Sequence, residues 1–261
     1  EARHRLIADN AVSRRDLEEK QNAARDAAAG VQAARAALRL GSGRVYVGLL
    51  EEHAPTYDPL QPELMLRPPE KLLGTDLTAL ACGPGLGTSS AAKRLLAVAC
   101  QLAVPLVLDA DALNLLAAGS VELPADSLMT PHPGEAARLL GIATAEVQAD
   151  RPAAALALAR RYQAVVVLKG AGSLVAAPDG RLLLCDRGHP AMAGAGLGDV
   201  LAGLLGALRA QGLEAFEAAA LGVWLHAGAG MRQGELGRGL AASDLIPTIR
   251  QLLEEHAPCL K

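Results

Sequence analysis

Apolar residues fall along this chain in two kinds of run. Between about residue 77 and residue 168 they form short stretches: Leu77–Cys82, Pro105–Leu108, Leu128–Thr130 and Ala164–Leu168. Helical patterns lie between them, at about 89–102, from about Ala112, after Glu135 and over 152–162. Val165-Val166-Val167-Leu168 is continuously apolar rather than alternating, as a strand covered on both faces should be. Leu174–Ala177 and Leu182–Cys185, separated by Pro178-Asp179-Gly180, predict a hairpin. Longer apolar helices follow near 200–210, 215–231 and 243–255. Upstream, an Ala-rich stretch from Ala23 to Leu40 predicts a helix stopped by Gly41, and Arg44–Leu50 predicts a strand. Residues 54–70 hold five prolines and predict a loop. Strands alternating with helices predict an α/β fold, a mainly parallel sheet between two helical layers. No period of about 20–50 residues repeats, which excludes a solenoid.

Composition narrows what such a fold can do. Half of the 261 residues are hydrophobic (51%), enough for a buried core, but only 2% are aromatic. One Trp, one Phe and three Tyr furnish no stacking platform for single-stranded nucleic acid. A net charge of −3 is no footprint for nucleic acid or an anionic membrane, although backbone amides can still hold a small anion. No apolar stretch is long enough to cross a bilayer, because residues such as Asp199, Arg209 and His226 interrupt each candidate. Cys82, Cys100, Cys185 and Cys259 are widely spaced, which predicts buried, reduced thiols and a cytoplasmic protein. Residues 1–26 stand apart, with twelve charged side chains against 41 in all the rest. They are expected to be a charged linker, or the remnant of an upstream domain, ahead of a single domain over 27–261.

Candidate chemistry collects at the predicted strand ends, where open α/β sheets bind ligands. Ala193-Gly194-Ala195-Gly196-Leu197-Gly198-Asp199 runs straight into a helix. Small residues let backbone N–H groups approach a ligand, and the helix adds its positive end, so the segment reads as an anion hole. Asp199 beside it could accept a proton from an attacking hydroxyl; the same Asp could equally be a helix cap. No Gly-Lys-Ser/Thr follows, which disfavours P-loop chemistry. Gly83-Pro84-Gly85-Leu86-Gly87 is a second tight turn, without the GxGxxG spacing, and reads as well as a plain βα turn. Asp109 and Asp111, with Asn114 a turn on, could reach Mg²⁺ through water or cap a helix. Thr130-Pro131-His132-Pro133-Gly134-Glu135 fixes His132 in an extended, contact-ready loop. Lys169-Gly170-Ala171-Gly172-Ser173 puts a cation and a glycine-rich turn where a nucleotide could sit, or is an ordinary route into the hairpin. His226, on an apolar helix, reads as a core residue.

Taken in order, GPGLG, LDADALNLL, TPHPGEAARLLG, VVLKGAGSLVAAPDG, GHPAMAGAGLGDVLAGLLGAL and RGLAASDLIPTI resemble the (S)-NAD(P)H-hydrate dehydratases of the ribokinase-like superfamily, over roughly 31–255. The resemblance implies a ribokinase-like three-layer α/β/α fold and repair of hydrated NADH and NADPH. It implies ADP as phosphoryl donor, with intact dinucleotide, AMP and phosphate as products. It assigns Asp199 as base and substrate contact, and Lys169, Gly170, Ala171, Gly172, Ser173 and Gly198 to the nucleotide. Gly196, Leu197 and Gly198 would form the anion hole. His132, Gly87, Asn114, Asp111 and Ala29 would line the side of the hydrated dinucleotide. Mg²⁺ would bridge phosphates with no direct side-chain ligand. An NAD(P)H-hydrate epimerase, fused or associated, and a homo-oligomer, with a tetramer favoured, are implied as well.

One departure stands out. The family opens this domain with a Lys-Gly segment, an apolar strand and a Gly-Gly turn. Here the charged 13–26 segment passes directly into Ala27-Ala28-Ala29-Gly30. Either residues ahead of the Ala-rich helix are missing from this sequence, or the sheet has lost the element that positions Ala29 and substrate binding is impaired; both readings stay open. Two alternatives stay open on the sequence: a small-alcohol kinase of the same superfamily, using ATP, and a non-catalytic nucleotide-binding domain.

Overall fold

The computed structural model describes residues 27–50, 54–119 and 121–258. The 1–26 segment and Cys259 lie outside them. A helix over 27–39 (α1) leads to β1 (Tyr46–Gly48), β2 (Met65–Arg67) and a short α2 (Pro69–Leu72). Then follow β3 (Leu80–Cys82), α3 (Ser90–Ala99), β4 (Leu106–Leu108), α4 (Ala110–Ala117), β5 (Leu128–Met129) and α5 (Pro133–Leu140). After α6 (Thr144–Ala149) and α7 (Arg151–Tyr162) come β6 (Val165–Leu168), β7 (Leu174–Ala176) and β8 (Leu182–Leu184). The chain closes with α8 (Leu197–Ala210), α9 (Ala215–Gly234) and α10 (Ala242–His256).

Six strands pair in the order β3-β4-β5-β6-β7-β8, parallel as far as β6 and antiparallel beyond. Side chains on each strand alternate between two cores. Leu106, Leu108, Val166 and Leu168 pack with residues of α3, α4, α5 and α7. Val107, Val165 and Val167 pack on the other face with Leu201 and Leu205 of α8 and Ala219 and Val223 of α9. That two-sided burial is why these strands read as unbroken apolar runs. The layered α/β/α architecture expected from the sequence is the one observed.

The proline-rich 54–70 segment is not all loop. Leu64 is buried against Val45 and Val47, and Met65 N–H donates to the Val45 carbonyl at 3.0 Å, which seats β2 alongside β1. The helix expected from about Ala112 starts two residues earlier, at Ala110, directly after Asp109. Cys82, Cys100 and Cys185 are half-buried rather than buried. Burial still raises the Cys82 and Cys100 thiols, to about 12 and about 11, so both stay protonated.

The β1–β2 pair forms a separate sheet. Val45 bonds towards β2, so the backbone groups of Tyr46 and Gly48 point the other way. Leu80 and Cys82 bond to Pro105 and Asp109, so Ala81 points away from β4. Between these two edges lies a cavity of about 450 Å³, lined also by α1 and by Gly203 and Gly206 of α8. The expectation of a missing first strand concerns residues ahead of Ala27 and lies outside the described residues. None of Asp109, His132, Lys169 or Asp199 lines this cavity.

Helix α1 is nonetheless seated firmly. A Cβ on Gly203 would lie 2.0 Å from the Ala33 carbonyl oxygen and 2.9 Å from the Ala36 Cβ, so α1 and α8 meet backbone to backbone. Gly203→Ala should therefore force the helices apart and cost about 1–3 kcal/mol. Denaturant unfolding checks this, and an unchanged midpoint would show that the contact is loose.

Candidate active site

Three strand ends and the start of one helix converge at the C-terminal edge of the parallel sheet. Asp109 follows β4, His132 and Glu135 follow β5, Lys169 follows β6, and Asp199 sits in the first turn of α8. The centre is an ion pair: Lys169 Nζ lies 2.6 Å from Asp109 Oδ1 and 4.0 Å from Glu135 Oε2. Asp109 is only 2% exposed and makes no capping bond to α4. Its carboxylate is spent on Lys169, across 60 residues of sequence, not on its own helix. A Cβ on Gly198 would come 3.3 Å from Lys169 Nζ and 3.7 Å from Asp109 Oδ2, so α8 starts directly on this pair.

Asp199 is not a helix cap. Gly196 occupies that position in a left-handed conformation, and Asp199 lies three residues on, its carboxylate free of any capping bond. The first helical hydrogen bond is Val200 N–H to the Gly196 carbonyl, at 3.2 Å. The N–H groups of Leu197, Gly198 and Asp199 therefore stay free for an anion at the positive end of a fourteen-residue helix. Beneath them, buried His226 reaches Leu197 O at 2.9 Å. Burial holds the imidazole pKa down at about 4, so the ring is neutral and its Nε2–H donates to the carbonyl. The core role expected for His226 is the one it has, and it anchors the anion hole from below.

Burial, and after it the neighbouring Asp109, raise the Asp199 carboxyl to about 6, against a smaller lowering by Lys169. A carboxylate tuned that way is a better base than a surface aspartate and is still ionised at neutral pH. If Asp199 must be ionised to act, kcat/KM rises with pH through about 6 and levels off above it. Asp109→Asn removes the neighbouring negative charge and should move that rise to lower pH. A pH–rate profile of both proteins reads it, and a rise that stays put would separate the limb from Asp199.

The opposite wall is a string of polar contacts between turns. Gly87 N–H donates to Asp111 Oδ2 at 2.9 Å, Asn114 Nδ2 to Asp111 Oδ1 at 3.5 Å, and Arg138 Nη1 to Asn114 Oδ1. The Gly87 amide is thus already engaged, while Asp111 serves to pin the 83–87 turn. That turn needs its glycines: Gly83 has φ +131°, and a Cβ there would lie 1.7 Å from the Asp109 carbonyl oxygen. His132 caps α5, its Nδ1 accepting from Gly134 N–H (3.0 Å) and Glu135 N–H (3.4 Å), while Glu135 Oε2 accepts from His132 N–H. Burial and the Lys169 charge lower the His132 pKa, so the exposed Nε2 edge carries the proton. Ala29 is half-buried near the start of α1, and a Cβ on adjacent Gly30 would lie 3.3 Å from the Pro84 carbonyl. The start of α1 thus approaches the 83–87 turn at Gly30.

Residues 169–173 form an open turn with Ser173 Oγ donating to the Gly170 carbonyl at 3.1 Å. Asp109 was visible in sequence as a candidate and Glu135 only as the end of the His132 loop, and only the fold selects them as Lys169's partners. Arg138 and Arg151 gave no signal at all. Burial raises Glu135, which sits between Lys169 and the His132 backbone. Among the described residues no three ligating side chains converge on a metal position, and no helix is long and apolar enough to cross a membrane.

Comparison with known proteins bears on the family and the fold. Residues 25–251 match a family profile described as NAD(P)H-hydrate dehydratase. The chain is 46% identical over 228 residues to the bifunctional NAD(P)H-hydrate repair enzyme Nnr of Coxiella burnetii, covering 85% of this chain and 46% of that protein. It therefore spans about half the length of such bifunctional relatives. It is 42% identical over 238 residues to the ADP-dependent (S)-NAD(P)H-hydrate dehydratase of Neisseria meningitidis, covering 85% of this chain and 79% of that one. Among solved structures, the Bacillus subtilis ADP/ATP-dependent NAD(P)H-hydrate dehydratase, co-crystallised with ATP/Mg²⁺ and soaked with CoA, superposes with a TM-score of 0.77. Its identity is 27%, over 88% of this chain and 87% of that one.

Proposed function

This chain belongs to the NAD(P)H-hydrate dehydratase family, and from that premise we propose that it is a hydro-lyase restoring NADH and NADPH from their (S)-hydrates at the expense of ADP. The observation that carries the reading is Asp199: not a cap, its carboxyl raised to about 6, and set beside free helix-start amides and Lys169. In the first step the Asp199 carboxylate takes the proton of the ring hydroxyl as that oxygen attacks the terminal phosphorus of ADP. AMP leaves with the electrons of the broken P–O bond. The nitrogen lone pair of the ring then expels phosphate as the C–O bond breaks, and loss of a proton from the adjacent carbon restores the dihydronicotinamide. Charge gathering on the transferred phosphoryl group faces the amides of Leu197, Gly198 and Asp199.

The Lys169–Ser173 turn and Gly198 hold the AMP part of the donor in this reading. His132, Asn114, Asp111, Gly87 and Ala29 line the side of the hydrated dinucleotide. In this reading Mg²⁺ would be a partner of the donor phosphates rather than of a side-chain cluster. Bound there it would neutralise phosphate charge. Residues 27–261 act as one domain, and an NAD(P)H-hydrate epimerase, fused or separate, supplies the S epimer. We assign the protein to the cytoplasm, where its dinucleotide substrates are made and its cysteines stay reduced. A homo-oligomer, with a tetramer favoured, is supported by the exposed apolar edge Leu183–Leu184 of β8.

The fate of the phosphate separates this reading from its rivals. Phosphorus NMR of a reaction with hydrated NADH, ADP and Mg²⁺ should show AMP and inorganic phosphate in equal amounts. A stable phosphorylated product would instead make the protein a kinase. Nucleotide binding without turnover would make it a non-catalytic domain.

A further inference from the structure

Arg151 opens α7 and belongs to none of the segments that carry the chemistry. Its guanidinium nevertheless reaches three backbone carbonyls of the glycine-rich turn and one at the end of β6: Nη1 donates to Ala171 (3.1 Å), and Nη2 to Leu168 (3.2 Å), Lys169 (3.4 Å) and Gly172 (3.1 Å). Among the described residues no carboxylate pairs with it. The fork packs so closely that a Cβ on Gly170, where φ is +147°, would lie 2.5 Å from Nη1. Glycine at 170 is thus demanded by Arg151 as well as by the backbone angle.

The consequence follows from the planarity of the trans peptide, in which the carbonyl of one residue and the N–H of the next point in opposite directions. Drawing the carbonyls of Lys169, Ala171 and Gly172 onto Arg151 turns the N–H groups of Gly170, Gly172 and Ser173 the other way. The neighbouring peptide shows the geometry at work: the Leu168 carbonyl faces Arg151, and Lys169 N–H donates in the opposite direction, to Pro131 O at 2.9 Å. The amides of Gly170, Gly172 and Ser173 make no hydrogen bond within the described residues.

We propose that Arg151 is a positioning residue for the nucleotide donor: it clamps the carbonyl side of the 169–173 turn and so presents a row of three free amides to ADP. This rests on the reading of that turn as the donor site. Arginine suits the task because five N–H donors in a planar fork can serve several acceptors at once, which an ammonium on a flexible stem cannot do as well.

The test is a comparison of wild type, Arg151→Ala and Arg151→Lys by calorimetric titration with ADP and Mg²⁺ and by steady-state kinetics. For Arg151→Ala the Kd and KM for ADP should rise by about tenfold or more. Turnover at saturating ADP, and the KM for the hydrated dinucleotide, should stay within about threefold, since Arg151 does not face the reacting atoms. Free guanidinium at low concentration should restore part of the lost affinity, and Arg151→Lys, which also serves if the alanine variant fails to fold, should lie between. Wild-type ADP affinity in a folded variant overturns the proposal alone. A uniform loss for both substrates with a falling Tm overturns it in favour of a purely structural role. No ADP binding by the wild type overturns the donor-site reading, and this proposal with it.

Discussion

Asp199→Asn is expected to lose about a thousandfold or more in turnover while binding ADP as the wild type does, since general-base catalysis is worth about 10²–10⁴. The amide side chain keeps the shape of the carboxylate but takes up no proton. The free amides of Leu197, Gly198 and Asp199 and the Lys169–Ser173 turn are left in place. The same variant should be the more stable protein at pH 8. Folding raises the Asp199 pKa to about 6. A raised carboxyl gives the fold stability that is fully present below the unfolded value and is lost as pH climbs through about 6. Above that, the wild type holds a half-buried charge that asparagine lacks, at a cost on the order of 2 kcal/mol. Thermal melts at pH 4 and pH 8 should therefore nearly coincide at the lower pH and separate at the higher, with the inactive variant on top. An inactive variant that melts below the wild type at both would mean that Asp199 is there for the fold.

Lys169→Met should have the largest effect on stability, about 3–5 kcal/mol, because it strips the cation from a nearly buried pair. Asp109 is left without its partner at 2.6 Å, and Glu135 and Asp199 lose the charge that eases their burial. The loss should shrink in acid, where the carboxylates protonate. Any residual activity should show its pH limb moved upward, because Lys169 is what lowers Asp199. Adding Asp109→Leu should recover part of the stability, since a buried pair replaced whole by apolar groups often costs little. Denaturant midpoints of the two singles and the double measure this coupling; additive losses would show that the pair does not act as a unit.

How far these features could be read from the sequence depended on range. Val165–Leu168 declared itself because both faces of that strand are covered, and the hairpin because Pro178-Asp179-Gly180 separates two apolar runs. β2 did not, since three residues between prolines carry too little pattern and are held only by β1. Asp109, Glu135, Lys169 and Gly198 come together in space, yet the division of labour among the motif residues was hidden. Asp109 and Asp111 are two residues apart with opposite duties: one neutralises Lys169, the other holds the Gly87 turn. Ala110 between them has a positive φ of 47°, a local twist that no spacing rule anticipates. Arg151 escaped notice because its partners lie 17 to 21 residues away and are all backbone carbonyls, which have no sequence signature.

One time course tests the assignment most directly. The protein is mixed with (S)-hydrated NADH, ADP and Mg²⁺, and the near-ultraviolet absorbance of the dihydronicotinamide is followed while AMP is counted. Absorbance that returns in step with AMP, one for one, and fails to return with Asp199→Asn is the predicted result. Hydrate that persists unchanged beside a protein that binds ADP would contradict the assignment.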